Sequence, residues 1–307
     1  MGQRLPQEVE APVRTTGPRE VLRVIPSVRT VEGAGFIVHR PFPKHGLMQI
    51  DPFLLLDQMG PTEQAPGEAE GAPDHPHRGF ETVTYLLEGE MEHKDSQGNK
   101  GKLGPGDVQW MTAGDGVVHS EMPSAAFKER GGRMHGFQLW VNLPSKDKRM
   151  RPRYQEKKAS ELPTATSADG KVWARVLAGE ALGAKAAIDT RTPIVYLHLK
   201  LAPGAKHVQR VDPRFNLFAY GIEGTGSYGE GRTQGQPREL VLFSQGGDEV
   251  TIEAGPEPVE LLLLGGQPLE EPMARYGPFV MNSPEEIHEA FDDYRAGRMG
   301  TIPVEVG

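Results

Sequence analysis

Apolar and polar residues alternate along most of this chain with the period of β-strands rather than of helices. Residues 21–38 alternate in this way (Val21, Val24, Ile25, Val28, Val31) and predict one or two strands. Phe53-Leu54-Leu55-Leu56 is a continuous apolar run, as expected of a strand covered on both faces. Residues 58–74 are rich in Gly, Pro and acid and read as a loop. From residue 80 the pattern is a meander, with strands over 81–87, 91–94, 108–111 and 137–143. Turn chemistry separates them, at Glu88-Gly89-Glu90, at 95–99, at Gly104-Pro105-Gly106-Asp107 and at Thr112-Ala113-Gly114-Asp115-Gly116.

The second half repeats the pattern. Strands are expected over 195–201, 216–221, 240–243, 249–253 and 259–264. Leu240-Val241-Leu242-Phe243-Ser244-Gln245-Gly246 parallels Val108-Gln109-Trp110-Met111-Thr112-Ala113-Gly114, so an internal duplication is expected. That overlay sets Thr251 on His119 and Glu253 on Glu121. Near the end, Ser283-Pro284-Glu285-Glu286 is a helix start with a capping box. Ile287, Ala290, Phe291 and Tyr294 form the apolar stripe of that helix, and Gly297 can close it.

Composition narrows the chemistry. Hydrophobic residues make up 37% of 307 residues, with 38 Gly and 27 Pro, which fits a turn-rich β protein of two domains. The net charge of −8 argues against a broad nucleic-acid-binding face. No run of about 18 apolar residues is present, and the first 19 residues lack an apolar signal core, so a cytoplasmic protein is expected. With no Cys there is neither a disulfide framework nor a thiolate metal site. Seven basic residues between Lys146 and Lys158 read as a solvated linker in preference to a docking patch.

Two pairs of residues stand out. His75 and His77 are two apart, as are His119 and Glu121. In a strand, residues i and i+2 share a face. The meander between the pairs is long enough to bring them together on one ion. Three imidazoles and a carboxylate suit a first-row transition metal and, in an octahedral shell, leave two positions for water, O2 or substrate. The other seven histidines (His39, His45, His93, His135, His198, His207 and His288) lack such pairing and read as structural or surface groups; His93 and His135 flank the proposed site.

These segments resemble the pirin family of cupins. His75-Pro76-His77-Arg78-Gly79-Phe80-Glu81-Thr82-Val83 is similar to the family's first cupin motif. Gly106-Asp107-Val108-Gln109-Trp110-Met111-Thr112-Ala113-Gly114 with His119-Ser120-Glu121 is similar to its second. Phe53-Leu54-Leu55-Leu56-Asp57 and Tyr276-Gly277-Pro278-Phe279-Val280-Met281-Asn282 are similar to further family segments. The resemblance implies an all-β bicupin: two antiparallel jelly-roll barrels and a C-terminal helix. The expected division is a flexible arm (1–20), an N-terminal barrel with the metal (21–145), a linker (146–170), a barrel without metal (171–270), and a tail whose helix packs on the barrels (271–307).

The resemblance also implies the ligand set His75, His77, His119 and Glu121, and Fe(II) as the metal, although the same shell accepts Mn, Co, Ni, Cu or Zn. Glu81, near the carboxylate position of other cupins, is expected to be structural or to orient a ligand, as is Gln138. The implied activity is dioxygenation of a flavonol such as quercetin by O2, with loss of carbon monoxide. Glu121 is the expected base for the enol hydroxyl. The alternative is an iron-dependent regulatory protein or transcriptional cofactor that senses redox state. A small aromatic enol is the expected partner, with room for a protein partner, and a monomer is expected.

Overall fold

The computed structural model describes residues 16–32 and 35–303. The alternating pattern becomes two pairs of antiparallel sheets. In the first half a seven-stranded sheet runs in the order Arg153–Lys157, Val108–Thr112, Phe80–Glu88, Gly132–Asn142, Phe53–Gln64, Phe36–Phe42, Val28–Glu32. It is accompanied by a four-stranded sheet in the order Ala72–His77, Val117–Pro123, Met91–Asp95, Lys100–Leu103. The second half repeats the seven and four. Its large sheet runs Val21–Pro26, Glu239–Phe243, Asn216–Glu223, Val259–Gly266, Ile194–Leu201, Val172–Ala178, Thr164–Thr166. Its small sheet runs Lys206–Arg210, Glu249–Ala254, Gly226–Tyr228, Thr233–Gly235. The two-domain β architecture expected from the sequence is present, but the sheets do not close into continuous barrels.

The two large sheets pack on each other. Tyr85, Trp110 and Phe137 of the first and Tyr196, Phe218 and Leu262 of the second are all 0% exposed in one core. Phe218 meets Phe53 edge-on at 5.4 Å, and Tyr220 meets Phe137 at 5.9 Å. Each such side chain contributes roughly 2 kcal/mol by leaving water, and this core therefore locks the halves together. The apolar run at Phe53 is buried throughout, as expected of a strand between two covered faces.

Several boundaries differ from the sequence reading. Val21–Pro26 belongs to the second half's sheet, paired with Glu239–Phe243. Residues 16–20 are not a loose arm: Arg19 is buried, and its guanidinium donates to the carbonyls of Phe215 and Asp212 at 2.7 Å. Residues 1–15 of the expected arm and 304–307 of the tail lie outside the described residues. The stretch 58–64, read as loop, continues the strand Phe53–Gln64. The linker contains Arg153–Lys157, which adds to the first half's sheet beside Val108–Thr112. The chain thus crosses between halves twice, which an alternation pattern cannot reveal because it does not name a strand's partner.

The expected helix is Pro284–Arg295, with Ser283 accepting from the Glu286 amide and Glu286 closing the capping box. Its buried Ile287 and Ala290 pack with Val118, Phe279 and Met281. Val118 is on the outward face of Val117–Pro123, so the helix presses on the back of the strand that carries His119.

Candidate metal centre

The two sequence pairs meet. Ala72–His77 and Val117–Pro123 are antiparallel neighbours, with His119 directly opposite His75 and Val117 opposite His77. One ligand atom from each of His75, His77 and His119 falls within 4.8 Å of the others. His119 is 0% exposed, His77 is buried, and His75 is half-buried, so the cluster opens on the His75 side. Phe80 and Trp140 wall it, at 5.0 and 5.2 Å from the His77 ring.

The backbone sets the tautomers. His75 Nδ1 is 2.7 Å from the Pro73 carbonyl, and His77 Nδ1 is 3.4 Å from the Pro278 carbonyl. A carbonyl only accepts, so each Nδ1 carries the proton and each Nε2 keeps its lone pair. Burial, with His75 beside it, holds His77 well below the usual imidazole range. Burial, with His77 and His75 behind it, does the same for His119. Both ring nitrogens of His119 are buried without a hydrogen-bond partner. A neutral imidazole sealed among two others with nothing to bond is costly in a folded interior. A metal ion would take one of those nitrogens, so these residues fit one.

Glu121 lies two residues beyond His119 and is 8% exposed. It is not among the three groups that converge within 4.8 Å. Instead Thr84 Oγ1 is 2.7 Å from its Oε1, and Gln138 Nε2 donates to its Oε2 at 3.2 Å. Thr84 Oγ1 is also 2.6 Å from Gln138 Oε1, and its single proton serves one of the two.

Neither Gln138 nor Glu81 orients a histidine. Gln138 touches Glu121 and Thr84, not an imidazole. Glu81 faces the other way: it alternates with Phe80 and Thr82 and accepts from Thr112 at 2.6 Å, on the side toward the second half. The histidines are oriented by the Pro73 and Pro278 carbonyls, which carry no side-chain signature. Thr84 left a faint one, since by alternation it shares with Phe80 and Thr82 one face of the strand that follows the first histidine pair. His93 stands opposite Glu121 in register, stacked on Tyr154 at 5.0 Å, while His135 and His198 lie at the junction of the halves.

Buried cations hold the motif in place. Arg78 donates to the Asp115 carbonyl and pairs with Asp293 of the helix at 2.7 Å. Lys148, read as part of an exposed basic stretch, is 1% exposed and donates to Gly79 O, Asn142 Oδ1 and Val280 O. Gly79 has φ +86°, and a Cβ there would meet Val280 O at 1.9 Å, so only glycine lets the tail approach the histidine strand.

The second half has no such cluster among the described residues. Thr251 and Glu253 do not stand in for His119 and Glu121. The inward residues there are Val250 and Ile252, both 0% exposed, while Thr251 is half-buried opposite Val208, which is 45% exposed. The motif overlay is one residue out of register, and one residue turns a side chain to the other face.

The pirin family profile matches residues 35–141, and that of the pirin C-terminal cupin domain matches residues 196–300. The chain belongs to the pirin family. A pirin-like protein of Solanum lycopersicum is 44% identical over 284 residues, covering 92% of this chain and 94% of that one. Pirin of Homo sapiens is 45% identical over 273 residues, covering 88% and 90%. Among solved structures, a quercetin 2,3-dioxygenase from Acinetobacter baumannii superposes with a TM-score of 0.88 at 38% identity, covering 94% of this chain and 100% of that one. These relatives span both halves, so the duplication and the family tail belong to the same similarity.

Proposed function

We propose that this chain is a metal-dependent dioxygenase that opens a flavonol such as quercetin with O2. His75, His77 and His119 would hold a divalent metal, ferrous iron by family resemblance, with Glu121 as the fourth ligand or as the base beside it. The reading rests on one observation: three converging imidazoles, two of them buried and neutral, with His119 lacking any partner for either nitrogen. The similarity to a protein named quercetin 2,3-dioxygenase over nearly the whole chain supports the substrate class.

When bound, the metal supplies Lewis-acid polarisation of an enol oxygen. The protein's own groups do the rest. Glu121 is the acidic side chain beside the triad, and its carboxylate takes the enol proton. Thr84 and Gln138 aim that carboxylate and can stabilise it in either protonation state. Trp140 and Phe80 give the triad an aromatic wall that suits a planar ring system. The Pro73 and Pro278 carbonyls keep the ligand nitrogens pointed at one spot. No helix among the described residues is long and apolar enough to cross a membrane.

The test is carbon monoxide release from quercetin by protein loaded in turn with Fe, Mn, Co, Ni and Cu. Turnover that disappears in His77→Ala and Glu121→Ala is expected. Silence with every metal would sink the proposal.

A further inference from the structure

A cavity lies between the two halves. It has a volume of about 850 Å³ and is lined from the first half by Leu87, Glu88, Arg133 and His135 and from the second by Trp173, Arg175 and others. It does not include the histidine triad. The strand Phe80–Glu88 separates them, with Thr84 turned to the metal centre and Tyr85 turned to the second half.

A directed chain of hydrogen bonds runs along this cavity. Burial holds His198 below the usual imidazole range, so its ring is neutral. Its Nε2 is 2.7 Å from Glu260 Oε1 and donates there, leaving Nδ1 to accept from the Tyr85 hydroxyl at 2.8 Å. Arg175 Nη1 in turn donates to the Tyr85 oxygen at 3.3 Å and approaches Gly106 O at 3.5 Å. The chain therefore begins at a guanidinium with donors to spare. Arg175 Nε is buried without a partner. The other cations of the cavity are paired: Arg133 with Glu88 at 2.7 Å, and Lys200 with Glu260 at 3.1 Å. Arg175 has only the Trp173 ring, 5.4 Å away, and neutral oxygens. Glu223 also lines the cavity and is exposed.

We propose that this cavity is a second ligand site, for a small organic carboxylate with an apolar or aromatic body. The carboxylate takes the Nη2 donors of Arg175, which no protein acceptor among the described residues uses. The body packs beside Trp173, Leu87 and Ile222. A monoanion matches the single unpaired cation. The inference is independent of the dioxygenase reading.

Benzoate is a suitable probe, with benzamide as its neutral isostere and inorganic phosphate as the alternative anion. Saturable quenching of tryptophan fluorescence by benzoate is expected, with benzamide and phosphate each at least tenfold weaker. In Trp173→Phe the fluorescence change disappears while calorimetry still detects benzoate. Arg175→Gln weakens benzoate at least tenfold at an unchanged thermal midpoint; if that variant does not fold, the benzoate–benzamide comparison decides on the unaltered chain. His77→Ala/His119→Ala, which removes the metal centre, keeps benzoate affinity within twofold. Equal binding of benzamide, tighter binding of phosphate, no binding at all, or loss of benzoate in the double histidine variant would each overturn the proposal.

Discussion

Thr84 and Tyr85 are neighbours on one strand and serve opposite sides of it. The Thr84 hydroxyl lies 2.7 Å from Glu121 beside the histidine triad, and the Tyr85 hydroxyl lies 2.8 Å from His198 between the two halves. The pleat of the strand makes this possible, since successive side chains leave on opposite faces.

The first consequence concerns Thr84 alone. Thr84→Val keeps the shape and removes the hydroxyl, leaving the three imidazoles untouched. Metal content by elemental analysis is expected to be unchanged, while kcat for quercetin falls about tenfold. A variant with unaltered kcat would show that the hydroxyl does not aim Glu121.

His119 is expected to matter more to the metal than any other single residue. It is fully buried, and neither of its nitrogens has another partner. His119→Ala should lower metal affinity by about 100-fold or more, read by competition with a chromophoric chelator. His207→Ala, in the half without a cluster, should leave metal content unchanged.

Acid should weaken the metal-free protein through its buried histidines. His77, His119, His198 and His135 all have folded pKa values below the unfolded value near 6.5, and burial, which opposes the charged form, leads the causes; His135 falls to about 4. Below pH 6.5 the unfolded chain takes up protons that the folded chain does not. Stability therefore falls as the pH is lowered from about 6.5 toward 4, by about 1.4 kcal/mol per pH unit for each imidazole that stays neutral. Urea melts of the metal-free protein at pH 7.5, 6 and 5 test this. A flat dependence would contradict it.

Lys148 should behave as a buried clasp. Burial lowers its pKa to about 8, and its ammonium serves three acceptors from the histidine strand's end, the strand Gly132–Asn142 and the tail. Lys148→Met leaves those oxygens unpaired and is expected to cost about 1–3 kcal/mol, several degrees of thermal midpoint. Since the folded pKa lies below that of a free lysine, the intact protein should gain stability as pH rises from 8 toward 10.5, and the variant should lack that component. Thermal melts of both proteins at pH 7.5 and 9.5 give the comparison.

The convergence of His75, His77 and His119 was legible in the sequence because it is written locally. Two residues two apart on a strand share a face, so His75 with His77 and His119 with Glu121 could be paired without coordinates. The helix at Ser283 was equally local, since a cap and a stripe are properties of adjacent turns. Strand partners were not legible: Val21–Pro26 lies in the second half's sheet and not the first's, and Arg153–Lys157, within the expected linker, is a strand of the first half's sheet. The one-residue slip at Thr251 has the same origin, because turn length fixes which face a side chain takes.

The sequence by itself determined the element types, the duplication and the histidines that converge, all of which follow from spacing along the chain. Only the tertiary structure decided what holds those histidines and what faces away from them. The orienting groups are backbone carbonyls of Pro73 and Pro278, common to every residue type and therefore silent in a sequence. The burial of Lys148 and Arg19, and the unpaired Arg175 between the halves, arise where segments far apart in the chain are packed together. Charge in a sequence is a property of a residue, whereas its desolvation is a property of its neighbours, and those are supplied only by the fold.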